Sequence, residues 1–396
     1  MAPKSKTPVD DVRILLGFAL IGLANTVLPA IIHAANYLVV PYPRAVVSLI
    51  ELLPVVAVKL SLPFVLHRVP VRLRPLLAAA AWVIAKKVAD DTPPNVLPPI
   101  RVAMSLLAAA ASAAMEVSCL GMAGRPGAHP HALLGWGFGT GAGMVGNAVW
   151  PFVLAHKAGR VLRSATGAVY YLVVILLLAH FVVLPQGVTK NNNAAASHDE
   201  EERSSFLEAG RPRVGYTGAF RGRLSTLRAL AKPEMMLLAA ASGMLFLQQG
   251  SARTLDGSVF GTYSRFASTF GVSLHLGTLL GRSSGRAFPV RSFRGLLLGL
   301  AGTALVALLN AVFLVSTYFA FTLAFLAGLA GGMVWVNVLA GIAGEKGREG
   351  EREFRLGAVT AGDAAGVLVG GLLGVFVEGE MCAHLVSGRR WCHRSR

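Results

Sequence analysis

The stretch SAAMEVSCLGMAGRPGAHPHALLGWGFGTGAGMVGNAVW, residues 112–150, determines the class of fold, because it offers no polar face to water. It places one carboxylate, Glu116, inside an apolar run, and a short turn at 125–130 leads into a second apolar run rich in glycine. Gly139 and Gly143 have the GxxxG spacing that lets transmembrane helices approach closely. A carboxylate at membrane depth costs about 2.5–3.5 kcal/mol, so a partner or a wet cavity must compensate it. The stretch predicts two packed transmembrane helices beside a polar cavity.

The composition of the whole chain is that of a polytopic membrane protein. Of its 396 residues, 54% are hydrophobic and 14% are charged, which is too little charge for the surface of a soluble protein of this length. The net charge of +17 would suggest nucleic-acid binding in a soluble protein. Here the basic residues lie in short loops between apolar runs, as the positive-inside rule describes. We therefore expect the lipid bilayer as a partner and no nucleic acid.

Eleven apolar spans follow one another along the chain, each about as long as a bilayer crossing requires. They lie near 14–34, 45–66, 73–90, 98–121, 132–156, 162–185, 234–250, 258–281, 293–314, 316–343 and 356–378. The layout predicts a six-helix bundle at 1–185, a disordered cytosolic loop at 186–233, a second helical bundle at 234–380 and a basic tail at 381–396. This is the outline of an all-α, major-facilitator-like fold with two bundles. With the N-terminus in the cytosol, an odd number of spans places the C-terminus in the lumen.

Metal, cofactor and enzyme chemistry find little support in the sequence. Cys119, Cys382 and Cys392 have no metal-ligand spacing, although the last two could pair if the tail is lumenal. No Walker motif or nucleophile elbow occurs, which argues against ATP-driven pumping and hydrolysis. We expect no cofactor, no metal and no enzymatic activity, and an intramembrane enzyme is a distant third hypothesis.

Six segments carry a family resemblance, and they occur in the family's order. They are LLGFALIGLANTVLPAIIHAAN, ELLPVVAVKLSLPFVLHRVPVRLR, MEVSCLGMAG with WGFGTGAGMVGNAVW, GRSSGRAF, LAGLAGGMVWVNVL, and EREFRLGAVTAGDAAGVLVGGLLG. Together they resemble the battenin family of lysosomal or vacuolar membrane proteins. The chain departs from the family pattern at Thr26, Asn36 and Ala327, and matches it poorly over 244–269. The resemblance implies a vacuolar or lysosomal location and roles in vacuolar pH homeostasis, basic amino-acid balance and export of glycerophosphodiesters.

Three ionisable side chains at membrane depth are the main candidates for chemistry. Desolvation favours the neutral form of a carboxylic acid, so Glu116 could exchange protons and couple transport, or it could hold two helices in register. Glu51 and Lys59, eight residues apart, lie about 80° off a common helical face, so each is expected to meet a different partner. Lys59 could attract an anionic solute, or form a structural ion pair between helices.

Uncharged polar residues on several spans are candidates for the walls of a central cavity. Each could instead form only an interhelical hydrogen bond. They are Asn25, Thr26, Thr140, Asn147, Gln248, Gln249 and Asn337. The Gly139–Gly141 segment could expose backbone to a solute, as broken helices do in transporters, or could serve close helix packing.

Charged residues near span ends suggest gating and sorting. Arg352, Glu353 and Arg355 could form a cytosolic gate with Asp363, or be solvated loop pairs. His33 and His67 could titrate between compartments or lie inertly at the interface. In the central loop, Glu202, Phe206 and Leu207 have the layout of an adaptor sorting signal, or form an ordinary acidic patch. The family resemblance, which includes sorting signals in this loop, favours sorting.

Two hypotheses about function follow. The first is a secondary transporter in which Glu116 couples protons while Lys59 and the polar faces bind a small polar solute. The second is a membrane scaffold that does not transport, recruits trafficking partners through 186–233, and affects vacuolar pH indirectly.

Overall fold

The computed structural model is helical throughout the residues that it describes, which are 8–37, 44–92, 98–125, 129–156, 167–185, 188, 216–252, 254–255, 263–285, 292–313, 315–345 and 349–387. Over these ranges we number twelve α-helices in chain order. They are α1 (Pro8–Tyr37), α2 (Arg44–Val65), α3 (Leu73–Asp91), α4 (Pro98–Ala123), α5 (His129–His156), α6 (Ala168–Leu178), α7 (Tyr216–Leu230), α8 (Met236–Ala252), α9 (Tyr263–Ser283), α10 (Phe293–Phe313), α11 (Thr317–Gly344) and α12 (Glu349–Ser387). A 3-10 turn follows α2, and single π-helical turns follow α6 and precede α8.

The predicted spans correspond to α1–α6 and α8–α12, and the all-α polytopic fold class is confirmed. Six of these helices (α1, α2, α4, α10, α11 and α12) are each long and apolar enough to cross a bilayer alone. Helix α8, together with the bent helical segment before it, gives a seventh candidate. The other helices are shorter or carry polar residues that face their neighbours, so the count of eleven is approximate. Helix α12 also extends beyond its predicted span in both directions, and 381–387 of the predicted tail are helical.

Helix α7 corrects the sequence analysis, which placed it in the disordered loop. Residues 189–215 of that loop lie outside the described residues, whereas its C-terminal part forms a helix of 15 residues. The helix forms because apolar residues recur at helical spacing, so one face can be buried. Leu230 is buried in the core, and Leu227 packs against it. The low overall hydrophobicity of this segment concealed the amphipathic pattern.

The two halves of the fold repeat one packing scheme. In the first half α1 packs against α5, α2 against α4, and α3 against α4. In the second half α8 packs against α12, α9 against α11, and α10 against α11. The halves meet mainly at two equivalent contacts, α2 with α12 and α5 with α9, and less extensively through α4 with α12 and α5 with α11. The fold is therefore a pseudo-twofold repeat, as in transporters whose substrate site lies at the repeat interface.

Glycine stripes let the paired helices approach at backbone contact. A Cβ atom at Gly139 would lie 2.0 Å from the carbonyl oxygen of Ala19 on α1, and a Cβ at Gly141 would lie 2.8 Å from the Cα of Leu279 on α9. Helix α5 is continuous through these residues and packs mainly on α1 and α9, whereas α4 packs on α1, α2, α3 and α12. The two runs of 112–150 therefore form two helices that contact each other, although each packs more extensively on other helices, because the glycine faces direct α5 towards α1 and α9.

One end of the bundle carries the basic connections, and we assign it to the cytosol by the positive-inside rule. At this end lie the 3-10 turn Leu66–Arg68, Arg125 after α4, helix α7, and the start of α12. The opposite, exoplasmic end carries the start of α2, the end of α8 and the end of α12.

Candidate functional site

A buried ion pair joins α2 to α4 at the centre of the first half. Lys59 Nζ lies 2.9 Å from Glu116 Oε2, and their side chains are 4% and 18% exposed. Glu116 thus keeps partial access to solvent, while Lys59 is almost sealed. Because a charge at membrane depth needs a partner, each residue compensates the other. The geometry brings together the two residues that the sequence singled out on separate helices.

Asp363 on α12 lies beside this pair, on the opposite half of the fold. Its carboxylate interacts electrostatically with both partners of the pair and with Arg282. Ser242 Oγ on α8 donates to the backbone carbonyl of Asp363 at 3.0 Å, which ties the two helices together. Glu353 lies ten residues earlier on α12, about 15 Å along the helix axis. This separation corrects the prediction that Asp363 forms a cytosolic gate with its neighbours in sequence.

Arg282 completes the central cluster, and the sequence analysis missed it. It follows directly after the predicted span at 258–281, in an arginine-rich connection, yet it is 8% exposed within α9. Its Nη1 donates to Thr140 Oγ1 on α5 at 2.9 Å, and its guanidinium carbon lies 4.3 Å from the ring centre of Trp335 on α11. Both Arg282 and Trp335 fall inside the segments GRSSGRAF and LAGLAGGMVWVNVL, so the family motifs were the available signal.

The two cations occupy equivalent places in the repeat. Lys59 and Arg282 lie on the second helix of their respective halves, α2 and α9. Each contacts the fourth helix of its own half, and each also lies beside the fifth helix of the other half. The cluster therefore sits where both inter-half contacts meet. We call Lys59, Glu116, Arg282 and Asp363 the central cluster.

Three cavities lie between the exoplasmic halves of the helices, and we call them together the vestibule. One of about 350 Å³ separates α2 from α8 and α12, one of about 390 Å³ lies between α5, α8 and α9, and one of about 440 Å³ lies between α1, α2 and α4. Gln249 lines the first and second cavities, and Glu51 lines the first and third. These shared walls make the cavities neighbours around the axis of the fold.

The vestibule ends one helical turn above the central cluster. Its wall residues Val55, Ser112 and Val367 lie four residues to the exoplasmic side of Lys59, Glu116 and Asp363, respectively. Four residues span one turn, about 6 Å, and return to the same helical face. The cluster thus forms a charged floor beneath the vestibule.

The uncharged polar candidates divide into wall residues and structural residues. Gln249 and Asn147 line the vestibule, and Asn147 Nδ2 also donates to the backbone carbonyl of Thr26 at 3.1 Å. Asn337 donates to the carbonyl of Met333 on its own helix at 2.8 Å. Thr26 also lines the vestibule. Asn25 is 3% exposed with Oδ1 lacking a hydrogen-bond partner, and Gln248 is 2% exposed with Nε2 lacking one.

An ion pair joins the two halves at the cytosolic end. Arg74 Nη1 on α3 lies 3.3 Å from Glu353 Oε1 on α12, with the side chains 6% and 17% exposed. Arg74 Nη2 and Nε also donate to the carbonyls of Leu66 and Val69, so the arginine is fixed on its own half. This pair links the halves at the end of the bundle opposite to the vestibule. Glu353, one of the predicted gate residues, therefore has a partner on the other half that the sequence analysis did not name.

Other gate residues brace the start of α12 from the second half. Arg355 Nη2 lies 3.7 Å from Glu234 beside α8, and Arg355 also pairs with Glu345 after α11. Arg352 Nη1 reaches the carbonyl of Ala343 at 3.5 Å. These contacts stay within one half, so they orient α12 without joining the two bundles.

Removing the charge of Glu353 should loosen the cytosolic gate. In Glu353→Gln we expect a cysteine introduced at Val117, a buried wall residue of the adjoining cytosolic cavity, to react about tenfold faster with a thiol reagent added from the cytosolic side. Glu351→Gln is the matched control, because Glu351 is an exposed acid on the same helix end. Equal labelling of the two variants would show that the Arg74 contact does not hold the gate closed.

The remaining predicted sites lie elsewhere. Glu202, Phe206, Leu207 and Cys392 are outside the described residues, and Cys382 is disulfide-bonded. Across the part of the chain that the structure describes, no group of three or more histidine, cysteine, aspartate or glutamate side chains could hold a metal ion. His67, beyond the end of α2, contacts Arg223 of α7 at 2.9 Å and lines a cytosolic cavity of about 360 Å³.

Sequence comparisons match the chain with one family over most of its length. Residues 16–384 match the family described as CLN3 protein. The protein btn1 of Aspergillus fumigatus is 30% identical, with 97% of this chain and 92% of that protein covered. The protein BTN1 of Chaetomium globosum is also 30% identical over the same shares, and that of Yarrowia lipolytica is 27% identical over 94% of this chain and 95% of that protein.

Structural comparisons give the fold. The human organic anion transporter MFSD10 (TETRAN) aligns with a TM-score of 0.62 and 16% identity, over 96% of this chain and 97% of that one. A D-xylose–proton symporter aligns with a TM-score of 0.51 and 14% identity, over 94% and 96% of the two chains. At these identities the likeness establishes a transporter-type fold alone.

Proposed function

The chain belongs to the CLN3 protein family, also called the battenin family, and from this premise we propose that it is an alternating-access carrier for a small polar solute. It would act in the vacuolar or lysosomal membrane, with its exoplasmic side facing the lumen. The observation that carries the proposal is the charged floor beneath the vestibule. Four ionisable side chains, two from each half, meet there one helical turn below the vestibule, and the Arg74–Glu353 pair joins the halves at the cytosolic end.

Alternating access would follow from rocking of the two halves about the central cluster. In the conformation described, α2 and α12 are separated by a cavity on the exoplasmic side, and Arg74 and Glu353 join the halves on the cytosolic side. Breaking that pair while the vestibule closes would expose the cluster to the cytosol. The glycine-packed helix pairs would move as rigid units, because their contacts run backbone to backbone.

The central cluster supplies groups for both a solute and a proton. Its two cations and two carboxylates balance, so a charged solute would be bound by exchanging partners within the cluster. Glu116 would carry the coupling proton, because it is the partly exposed member of the Lys59 pair. Lys59 and Arg282 would bind the acidic group of a solute. The two solute classes that the family resemblance implies, basic amino acids and glycerophosphodiesters, both present charged groups to such a site.

Transport of the solute should be measured in proteoliposomes that contain the purified chain. We expect a pH gradient to drive accumulation of a labelled basic amino acid or a glycerophosphodiester, and an equal-pH control to show exchange only. If neither solute class moves above the rate of empty liposomes, the carrier proposal fails and a role as a trafficking scaffold is favoured.

The central loop is proposed to direct the protein to its membrane. Glu202, Phe206 and Leu207 would bind a sorting adaptor, and the loop joins the two bundles on the cytosolic side, where adaptors are found. Cys382 is disulfide-bonded near the end of α12. Disulfides persist in oxidising compartments such as the secretory lumen, which supports a lumenal C-terminus. Pulse-chase imaging of a Leu207→Ala variant would test the sorting role against an unaltered chain.

A further inference from the structure

A second proton-sensitive site lies in the vestibule, away from the central cluster. His33 on α1 contacts two acceptors, one with each ring nitrogen. Its Nδ1 lies 3.1 Å from Glu51 Oε1 on α2, and its Nε2 lies 3.1 Å from the backbone carbonyl oxygen of Ser105 on α4. One imidazole thus holds together three helices of the first half at the wall of one cavity, and its partner Glu51 lines that cavity and the one beside α12.

The hydrogen-bond geometry determines how many protons this site needs. A backbone carbonyl only accepts hydrogen bonds, and an ionised carboxylate also only accepts them. A neutral imidazole has a single N–H, so it can satisfy one of the two contacts but not both. Both contacts are hydrogen bonds only if one further proton is present, either on the second ring nitrogen of His33 or on the carboxyl group of Glu51.

We propose that His33 and Glu51 form a proton-binding site reached from the exoplasmic side, and that its proton stabilises the conformation with an open vestibule. The role of this site in opening the vestibule rests on the proposed carrier function, whereas the need for an extra proton follows from the hydrogen-bond geometry alone. The side chains of His33 and Glu51 are 12% and 33% exposed, so protons can reach them through the cavity. Histidine is also the side chain that ordinarily changes charge between pH 5 and 8, the range that separates an acidic lumen from cytosol.

Other charged groups nearby already have partners of their own. Arg101, one turn before Ser105 on α4, donates to the carbonyl of Thr92 at 2.6 Å and lies 3.5 Å from Asn36. Lys86 on α3 pairs with Asp90 of the same helix. The walls that α8 and α12 contribute to the cavity beside Glu51 are uncharged. Lys59, two turns from Glu51 on α2, is paired with Glu116.

Loss of the proton would release α2 from its neighbours. Either the Glu51 contact or the Ser105 contact would break, because one donor would be missing. Helix α2 is the one that faces α12 across the first cavity, so its release would act directly on the opening between the halves. Lumenal acidity would therefore favour the open vestibule, and a neutral compartment would favour closure.

The test measures opening of the vestibule without any solute. A cysteine introduced at Ser48, on the cavity wall of α2, is labelled by a membrane-impermeant thiosulfonate, and each rate is divided by the rate for the unfolded protein at the same pH. In the otherwise unaltered chain we expect the normalised rate to rise about tenfold between pH 7.5 and pH 5.5. A flat profile would overturn the proposal.

Variants identify the site. Glu51→Gln should label rapidly at both pH values, since its amide N–H can donate to neutral His33 and no extra proton is needed. His33→Gln should abolish the pH response. His131→Gln is the matched control, because His131 forms a similar contact with Asp11 (3.5 Å) at the cytosolic end.

The outcomes are distinguishable from those of the carrier test. If Glu51→Gln and His33→Gln both keep the unaltered pH response, the proton site is refuted even when solute uptake is intact. If the pH response depends on these two residues but no solute moves, the proton site stands and the carrier function fails.

Discussion

Glu116→Gln is expected to abolish accumulation of solute driven by a pH gradient, while exchange of solute at equal pH continues. Glutamine keeps the shape and the hydrogen-bonding capacity of the side chain but cannot bind and release a proton. The cluster should still assemble, because Asp363 remains within electrostatic range of Lys59 and preserves a counter-charge. The measurement compares gradient-driven uptake with counterflow in the same proteoliposomes, and we expect the first to fall by about a hundredfold or more.

Counterflow separates the two roles that the sequence left open for Glu116. If Glu116 only holds α2 and α4 in register, both activities should fall together with the yield of folded protein. Glu380→Gln serves as the control, because Glu380 is an exposed acid near the exoplasmic end of α12. Wild-type accumulation by Glu116→Gln would remove the coupling role.

Gly139→Leu is expected to cause the largest loss of stability of any single substitution on α5. Even a Cβ atom at this position would lie 2.0 Å from the carbonyl oxygen of Ala19, and backbone cannot move aside as a side chain can. Overpacking of a tight contact typically costs about 1–3 kcal/mol, and a clash with backbone lies at or above the upper end of that range. We expect a substantial fall in the midpoint of thermal unfolding in detergent, and loss of most of the folded protein.

Gly146 provides a matched control on the same helix. It is exposed, and a Cβ there would meet no atom within 4 Å, so Gly146→Leu should unfold at nearly the temperature of the unaltered chain. Equal stability of the two leucine variants would show that the α1–α5 contact has room that the structure does not indicate.

Hydrophobic runs made the helices predictable, since a bilayer demands long apolar segments and leaves little choice of structure. What the runs could not show is which helices touch. Arg282 illustrates the limit: its charge and its place beside a connection favour a cytosolic loop, yet α9 buries it against Trp335. Its burial depends on an aromatic ring that is distant in sequence, and single-helix patterns carry no such information.

Asp363 illustrates a related limit. Its nearest charged residues in sequence lie at the cytosolic end of α12, and its nearest charged residues in space lie on α2, α4 and α9. On a long helix, charged residues that are close in sequence can lie far apart along the helix axis. Their closeness in sequence therefore does not show that their side chains meet. Lys59 and Glu116 could be singled out from the sequence because a charge at membrane depth is costly on any helix, and the structure pairs them with each other.

The repeat places a lysine in one half and an arginine at the equivalent point of the other. An ammonium group can give up its proton in a buried site, whereas a guanidinium keeps its charge at every physiological pH. The second half therefore keeps a fixed positive anchor for negative charge, whereas the cation of the first half is held by its ion pair with Glu116.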